Sequence, residues 1–175
     1  MESKYFRTDC PAPRGMGDSD PEAVREIIEL EAAVYQMFNE EFLTNPGSVV
    51  DEHYADDPGI SFYDLLVPGE YTGEDVKKYF NFIGPQFVGL MEAGDIQVWV
   101  KGDTGFVVLK QHYQAKDADG NDIHWIMRQT DGVIKQDGKW RIAHTHYSWP
   151  VTPPPDYKAD LICSPAPHPW DVAQS

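Results

Sequence analysis

Along the first third of the chain, Ile27, Leu30, Val34, Met37 and Phe38 recur every three or four residues, the spacing that places side chains on one side of an α-helix. Asp20-Pro21-Glu22 supplies an N-cap acid, a proline in the first turn and early negative charge, so the helix is expected from there to about residue 42. Asn45-Pro46-Gly47 closes it and opens a short second helix over residues 49–54. After Asp57-Pro58-Gly59 the period changes. Residues 60–66 read as a strand, 69–73 as a turn or short extended piece, and 74–82 as a third helix with Val76, Tyr79 and Phe80 on one side. Beyond Pro85 helix signals stop, and four long strands are predicted over residues 94–101, 106–115, 123–135 and 140–149. Gly102-Asp103, Asp119-Gly120 and Asp137-Gly138 separate them as hairpin turns.

The polar first stretch, with Pro11, Pro13, Gly15 and Gly17, is expected to be a flexible arm over residues 1–19. A Pro-rich tail over residues 152–175 cannot join a sheet interior and is expected to wrap the surface. Helices followed by a meander of long strands define an α+β chain with segregated layers. Such a curved antiparallel sheet must curl around the N-terminal helices into a cone, whose open end suits a small ligand.

At 175 residues, 41% hydrophobic and 25% charged, the chain has the size and balance of one folded domain, expected over residues 20–151. Acidic residues outnumber basic ones 29 to 14, for a net charge of −15, which opposes binding to nucleic acid or to anionic membrane surfaces. No apolar run is long enough to span a bilayer, and the N-terminal segment lacks the pattern of a secretory signal, so a cytoplasmic location is expected. Cys10 and Cys163 are too few for a cysteine-based zinc site and read as reduced bystanders.

Three stretches carry a resemblance. Phe62-Tyr63-Asp64 is followed by Pro68-Gly69-Glu70-Tyr71-Thr72-Gly73 and a helix. Arg128-Gln129-Thr130-Asp131 precedes the hairpin Asp137-Gly138-Lys139-Trp140-Arg141-Ile142, and His144-Thr145-His146-Tyr147-Ser148-Trp149-Pro150 follows. In this order they resemble the SnoaL-like group of the nuclear transport factor 2-like (NTF2-like) superfamily, relatives of ketosteroid isomerase. The resemblance implies the cone fold and, for Arg128 and Thr130, an inward orientation. It leaves function open, because the superfamily holds isomerases, cyclases, dehydratases, lyases, epoxide hydrolases and non-catalytic binders.

Strand alternation nominates the chemistry. On the last strand Trp140, Ile142, His144, His146 and Ser148 share one face, and the two large apolar members mark it as concave. Asp64 is in phase with Ile60 and Phe62, which also points it inward. An acid, two imidazoles and the Arg128 guanidinium in an apolar cone make a set for proton transfer, with Asp64 or His146 as general base and His144 and Arg128 polarising substrate oxygens. Tyr35, Phe38, Tyr71, His112, Trp125 and Ser148 are the expected substrate-binding residues.

The expected function is thus a cofactor-independent lyase or isomerase acting on a small hydrophobic, aromatic or polycyclic substrate. Two alternatives stand beside it. One is a non-catalytic ligand-binding or assembly module. The other is a metal hydrolase in which His144 and His146 grip an ion with Asp64 or His112 as a third ligand. Asp117, Asp119 and Asn121 lack the spacing of a calcium loop and read as a hairpin tip. An outer sheet face carrying Trp99, Leu109 or Tyr113 predicts a homodimer.

Overall fold

A computed structural model describes residues 3–64, 70–116 and 119–149. Helix α1 spans Pro21–Glu40, and Asp20 caps it by accepting hydrogen bonds from the backbone of Glu22 and Ala23 at 2.7 and 3.1 Å. Helix α2 covers Ser48–His53 and α3 covers Glu74–Ile83, followed by a 3₁₀ turn at Gly84–Gln86. The strands are β1 (Arg14–Gly15), β2 (Ser61–Tyr63), β3 (Glu70–Thr72), β4 (Leu90–Lys101), β5 (Thr104–Lys116), β6 (Asp122–Gln136) and β7 (Lys139–Ser148). They form one sheet in the order β1-β4-β5-β6-β7-β2-β3. The α+β architecture is therefore as the periodicity predicts. At the β6–β7 turn, Asp137 and Gly138 both take positive φ, 51° and 77°, the geometry that lets a two-residue connection follow the twist of its strands.

The sheet is mixed rather than purely antiparallel. The β4–β7 meander is antiparallel, but β2 pairs parallel with β7 and β1 parallel with β4. Each parallel pair is joined through helices, as parallel neighbours require a crossover connection. The segment expected as a flexible arm is bonded in its described part. Phe6 bridges Ala93, the Arg7 amide donates to the Ala93 carbonyl at 2.9 Å, and Arg14 and Gly15 align with Gln97 and Val98. The arm covers what would otherwise be the open edge of β4. The tail expected over residues 152–175, the Pro68-Gly69 turn, the end of the strand predicted to residue 66, Asp117 and Cys163 lie outside the described residues.

Two bulges shape the concave face. One interrupts the β4–β5 register between Gly94 and Gln97, with Asp95 at φ 51°. The other falls between Gly132 and Val133 of β6, whose partners are His144 and Ile142, leaving Ala143 unpaired as the extra residue of β7. An extra residue reverses the side-chain phase of everything beyond it. Before the bulge Trp140 and Ile142 are buried, and after it Thr145 and Tyr147 are buried instead. Helix α1 fills the cone with Ile27, Val34, Tyr35 and Phe38. Helix α3 adds Val76, Tyr79, Phe80 and Ile83, closing an aromatic cluster in which Phe80 meets the rings of Phe38, Phe42, Tyr54 and Phe62 at 5.0–6.3 Å.

Candidate active site

Inside the wide end of the cone lies a slender cavity with about 430 Å³ of atom-free space, mouth included. Its walls are aromatic and aliphatic: Phe38, Phe42, Phe62, Phe80 and Phe87 with Ile83, Met91 and Met127. Three polar side chains interrupt them, Asp64, Gln111 and Tyr147. Asp64 comes directly after β2, in phase with the buried Phe62, so strand geometry turns its carboxylate toward the cavity. The Tyr79 hydroxyl of α3 donates to Asp64 Oδ2 at 2.5 Å. Burial, reinforced by the bond to Asp64, raises the Tyr79 phenol far above its ordinary range, so it acts as a donor that holds the carboxylate in place. Tyr71 stacks on the Tyr79 ring at 4.1 Å and steadies it from behind.

Gln111 and Tyr147 lie deeper, with Gln111 Nε2 donating to the Tyr147 hydroxyl oxygen at 3.4 Å. Behind them is a buried polar chain. Tyr35 donates its hydroxyl to Gln129 Oε1 at 2.8 Å, and Gln129 Nε2 donates to Asp131 Oδ2 at 2.6 Å. Thr145 donates to Asp131 Oδ1 at 2.6 Å and bonds the Tyr54 hydroxyl at 2.8 Å. Burial pushes the Asp131 carboxyl up to about 7, against the lowering effect of the Thr145 and Gln129 bonds.

Glu31, on α1, is fully buried, and neither carboxylate oxygen has a hydrogen-bond partner. Burial, and then the Asp131 charge, hold its carboxyl well above the usual carboxylate range. Because the folded state binds this proton more tightly than the unfolded chain, Glu31 costs the fold least at acid pH, below the unfolded value of 4.5. That cost grows as pH rises toward the folded value. Glu31→Leu is therefore expected to stabilise the protein by about 1–3 kcal/mol at pH 8 and by less at pH 5. Urea denaturation at both values checks this, and a variant weaker than the parent at pH 8 contradicts it.

The structure brings together only part of the set predicted from the sequence. Asp64 and Phe38 line the cavity as expected. Tyr35 is completely buried beneath it and is a member of the polar chain rather than a substrate contact. His144, His146 and Arg128 do not face the cavity, which corrects their expected inward orientation. The bulge at Ala143 turns both imidazoles to the outer face, where His146 is exposed and His144 Nδ1 bonds Ser61 Oγ at 2.8 Å. Arg128 and Ser148 are register partners on that same face. On β6 the buried members are Met127, Gln129, Asp131 and Val133, opposite in phase to Arg128 and Thr130.

His112 lies under the arm on the outer face, its Nδ1 3.0 Å from His124 Nε2, and burial pushes its imidazole down to about 4. Trp125 packs between the rings of Tyr113 and Trp149. With Asp64 as third ligand the metal-hydrolase set is divided between the inner and outer faces, and with His112 it is divided between β5 and β7, which β6 separates. Among the described residues, no group of three or more His, Cys, Asp or Glu side chains is arranged to hold a metal ion. Leu109 and Tyr113, expected on the outer face, are buried on the inner one, while Trp99 does face outward and stacks on Phe106.

Sequence reasoning misses Gln111, Gln129, Asp131, Tyr147 and Glu31. Glu31 has a readable signal, since it falls between Ile27 and Tyr35 on the apolar stripe of α1. Met127 and Val133, two apolar residues sharing a phase with Gln129 and Asp131, are the signal on β6.

Residues 72–152 match the family model of the SnoaL-like domain. No curated protein matches the chain. Among solved structures, an NTF2-like protein of unknown function from Pseudomonas putida KT2440 superposes with a TM-score of 0.62 at 21% identity, covering 74% of this chain and 88% of the other. A candidate dehydratase of the NTF2-like family from Streptomyces avermitilis has a TM-score of 0.62 at 16% identity, over 76% and 99% of the two chains. The association domain of CaMKII from C. elegans has a TM-score of 0.58 at 14% identity, over 75% and 99%. At such identities these structures establish the shared fold alone. Family match and fold agree: residues 72–152 are similar to the SnoaL-like domain, and the chain shares its fold with the NTF2-like structures.

Proposed function

We propose that the protein is a cofactor-independent enzyme that moves a proton on a small aromatic or polycyclic substrate bearing a carbonyl group. The observation that carries this reading is the placement of Asp64, held by Tyr79, in an aromatic cavity that also presents Gln111 and Tyr147. Asp64 would accept the proton from a carbon next to the carbonyl. As that C–H bond breaks, its electron pair moves to the carbonyl oxygen, and the Tyr147 hydroxyl stabilises the resulting enolate. Return of the proton to another carbon gives isomerisation, and loss of a β-hydroxyl as water gives dehydration. The aromatic walls exclude water and strengthen each polar contact inside.

The reading is tested without knowing the natural substrate by following deuterium uptake at the α-carbons of 2-tetralone in D2O by proton NMR. Uptake faster in the presence of protein than in matched buffer, and blocked when Phe62→Trp fills the cavity, supports it. A bound ketone that exchanges at the buffer rate sinks it.

The outer face favours self-association as part of the same proposal. Trp99 and Phe106 stack at 5.4 Å on the open side of the sheet, and Phe106 and Ile126 are each 38% exposed. The Trp99–Phe106 stack places exposed apolar area on that face, which favours an interface there. The expected result is a homodimer in sedimentation at micromolar concentration, converted to monomer by Phe106→Glu; a monomeric parent refutes it. Among the described residues no helix is long and apolar enough to cross a membrane.

A further inference from the structure

The polar chain beneath the cavity has a direction, and that direction can be followed from one end to the other. An ionised carboxylate only accepts hydrogen bonds, so Asp131 requires Thr145 to offer its proton and Gln129 to offer Nε2. With its nitrogen turned to Asp131, the Gln129 amide presents Oε1 to Tyr35, which must donate its own proton there. The Tyr35 oxygen is left to accept, and the Gln111 amide is the neighbouring donor that offsets part of the rise burial gives the Tyr35 phenol. The same amide nitrogen donates to the Tyr147 oxygen. Tyr147 thus receives a hydrogen bond from behind, and its own hydroxyl proton is directed into the cavity.

A proton on Asp131 Oδ2, the oxygen that faces Gln129, reverses every link. Protonated Asp131 donates to Gln129 Oε1, and the amide turns over to offer Nε2 to the Tyr35 oxygen. Tyr35 then donates to Gln111, which presents Oε1, and Tyr147 also gives its proton to that oxygen. The cavity now meets a lone pair instead of a donor. We propose that Asp131 is a positioning residue whose negative charge, passed through Gln129, Tyr35 and Gln111, turns the Tyr147 hydroxyl proton toward the bound substrate. No proton needs to travel along the chain; only the orientations of two amides and two hydroxyls change.

The groups around Asp131 match this role. Glu31 and Tyr35 face it from α1, Tyr54 from the end of α2, and Thr145 and Tyr147 from β7, with Gln129 beside it on β6. None of these is a cation, so no opposite charge locks Asp131 in its ionised form. Burial places its titration near neutrality, where both orientations of the chain are within reach. The orientation of the chain follows from hydrogen-bond geometry alone, whereas its bearing on catalysis rests on the function proposed above.

Side-chain amide NMR of the ligand-free protein tests the orientation. At pH 9 the Gln129 NH₂ protons should show contacts toward Asp131 and Thr145, and those of Gln111 contacts toward Tyr147 and Tyr35. In Asp131→Asn, whose amide donates to Gln129 Oε1, the Gln129 contacts should pass to the Tyr35 side at every pH, and the wild-type protein should make the same change as pH falls to 5. Gln129→Leu, which leaves Asp131 in place, should uncouple Gln111 from the Asp131 titration and covers the case in which Asp131→Asn fails to fold. Amides that keep one orientation in wild type and in the folded variant, or a Gln111 that still follows Asp131 in Gln129→Leu, overturn the inference. The 2-tetralone assay supplies the catalytic arm, with uptake falling about 10²-fold in Asp131→Asn through loss of the donor. A reversal of the amides in a protein that exchanges no ketone retains the inference and removes the catalytic reading.

Discussion

Asp64→Asn is expected to slow deuterium uptake by 2-tetralone about 10²- to 10⁴-fold, the range associated with loss of a positioned general base. The substitution keeps the size and planarity of the side chain, and the amide oxygen still accepts from Tyr79, whose hydroxyl lies 2.5 Å from Asp64 Oδ2. What disappears is the ability to take a proton. Affinity for the ketone should therefore stay within a few-fold of the parent while turnover collapses, a separation that marks a group acting on the transition state rather than on binding. His146→Ala provides the contrast. His146 is exposed on the outer face, so its removal should leave uptake unchanged. Loss of activity in His146→Ala with retention in Asp64→Asn would reverse the assignment.

Phe80→Ala should remove about 3–5 kcal/mol of stability, a drop of roughly 10 °C in Tm for a domain of this size. Phe80 is 2% exposed and touches four other aromatic rings from α1, β2 and the residues between, so its removal leaves a void that rigid neighbours cannot fill. Phe82, two residues further along α3, is 64% exposed, and Phe82→Ala should stay within about 0.5 kcal/mol of the parent. Thermal denaturation of the two variants side by side decides the matter, and equal losses would mean that the packing of α3 is misassigned. Phe80 also lines the cavity, so the destabilised variant should admit bulkier ketones than the parent.

The contrast between these two phenylalanines is legible in the sequence itself, because helical spacing places Phe80 with Val76 and Tyr79 and leaves Phe82 outside the stripe. The same kind of local rule locates the Asp20 cap, the Asp137-Gly138 turn and the inward phase of Asp64, which lies only two residues from Phe62. Each depends on contacts within a few residues, so a short window of sequence contains all the information needed.

Alternation fails where it is extended through a defect. Counting from Trp140 and Ile142 places His144 and His146 in the cavity, but Ala143 is an extra residue in β7 and every later side chain changes face. On β6 the family resemblance sets Arg128 inward, although burial of Met127 and Val133 requires the opposite phase. Both errors hide Tyr147, Gln129 and Asp131, which occupy the inward positions.

Sequence alone thus determined the helices, the four long strands, the enclosing α+β cone and one inward-facing acid, because hydrophobic period, caps and turn dipeptides act locally. The tertiary structure decided which polar residues share the interior. A strand bulge depends on pairing with a neighbour, and burial of Glu31 and Asp131 depends on α1 closing over the sheet. Those are relations between distant segments, and only the assembled chain contains them.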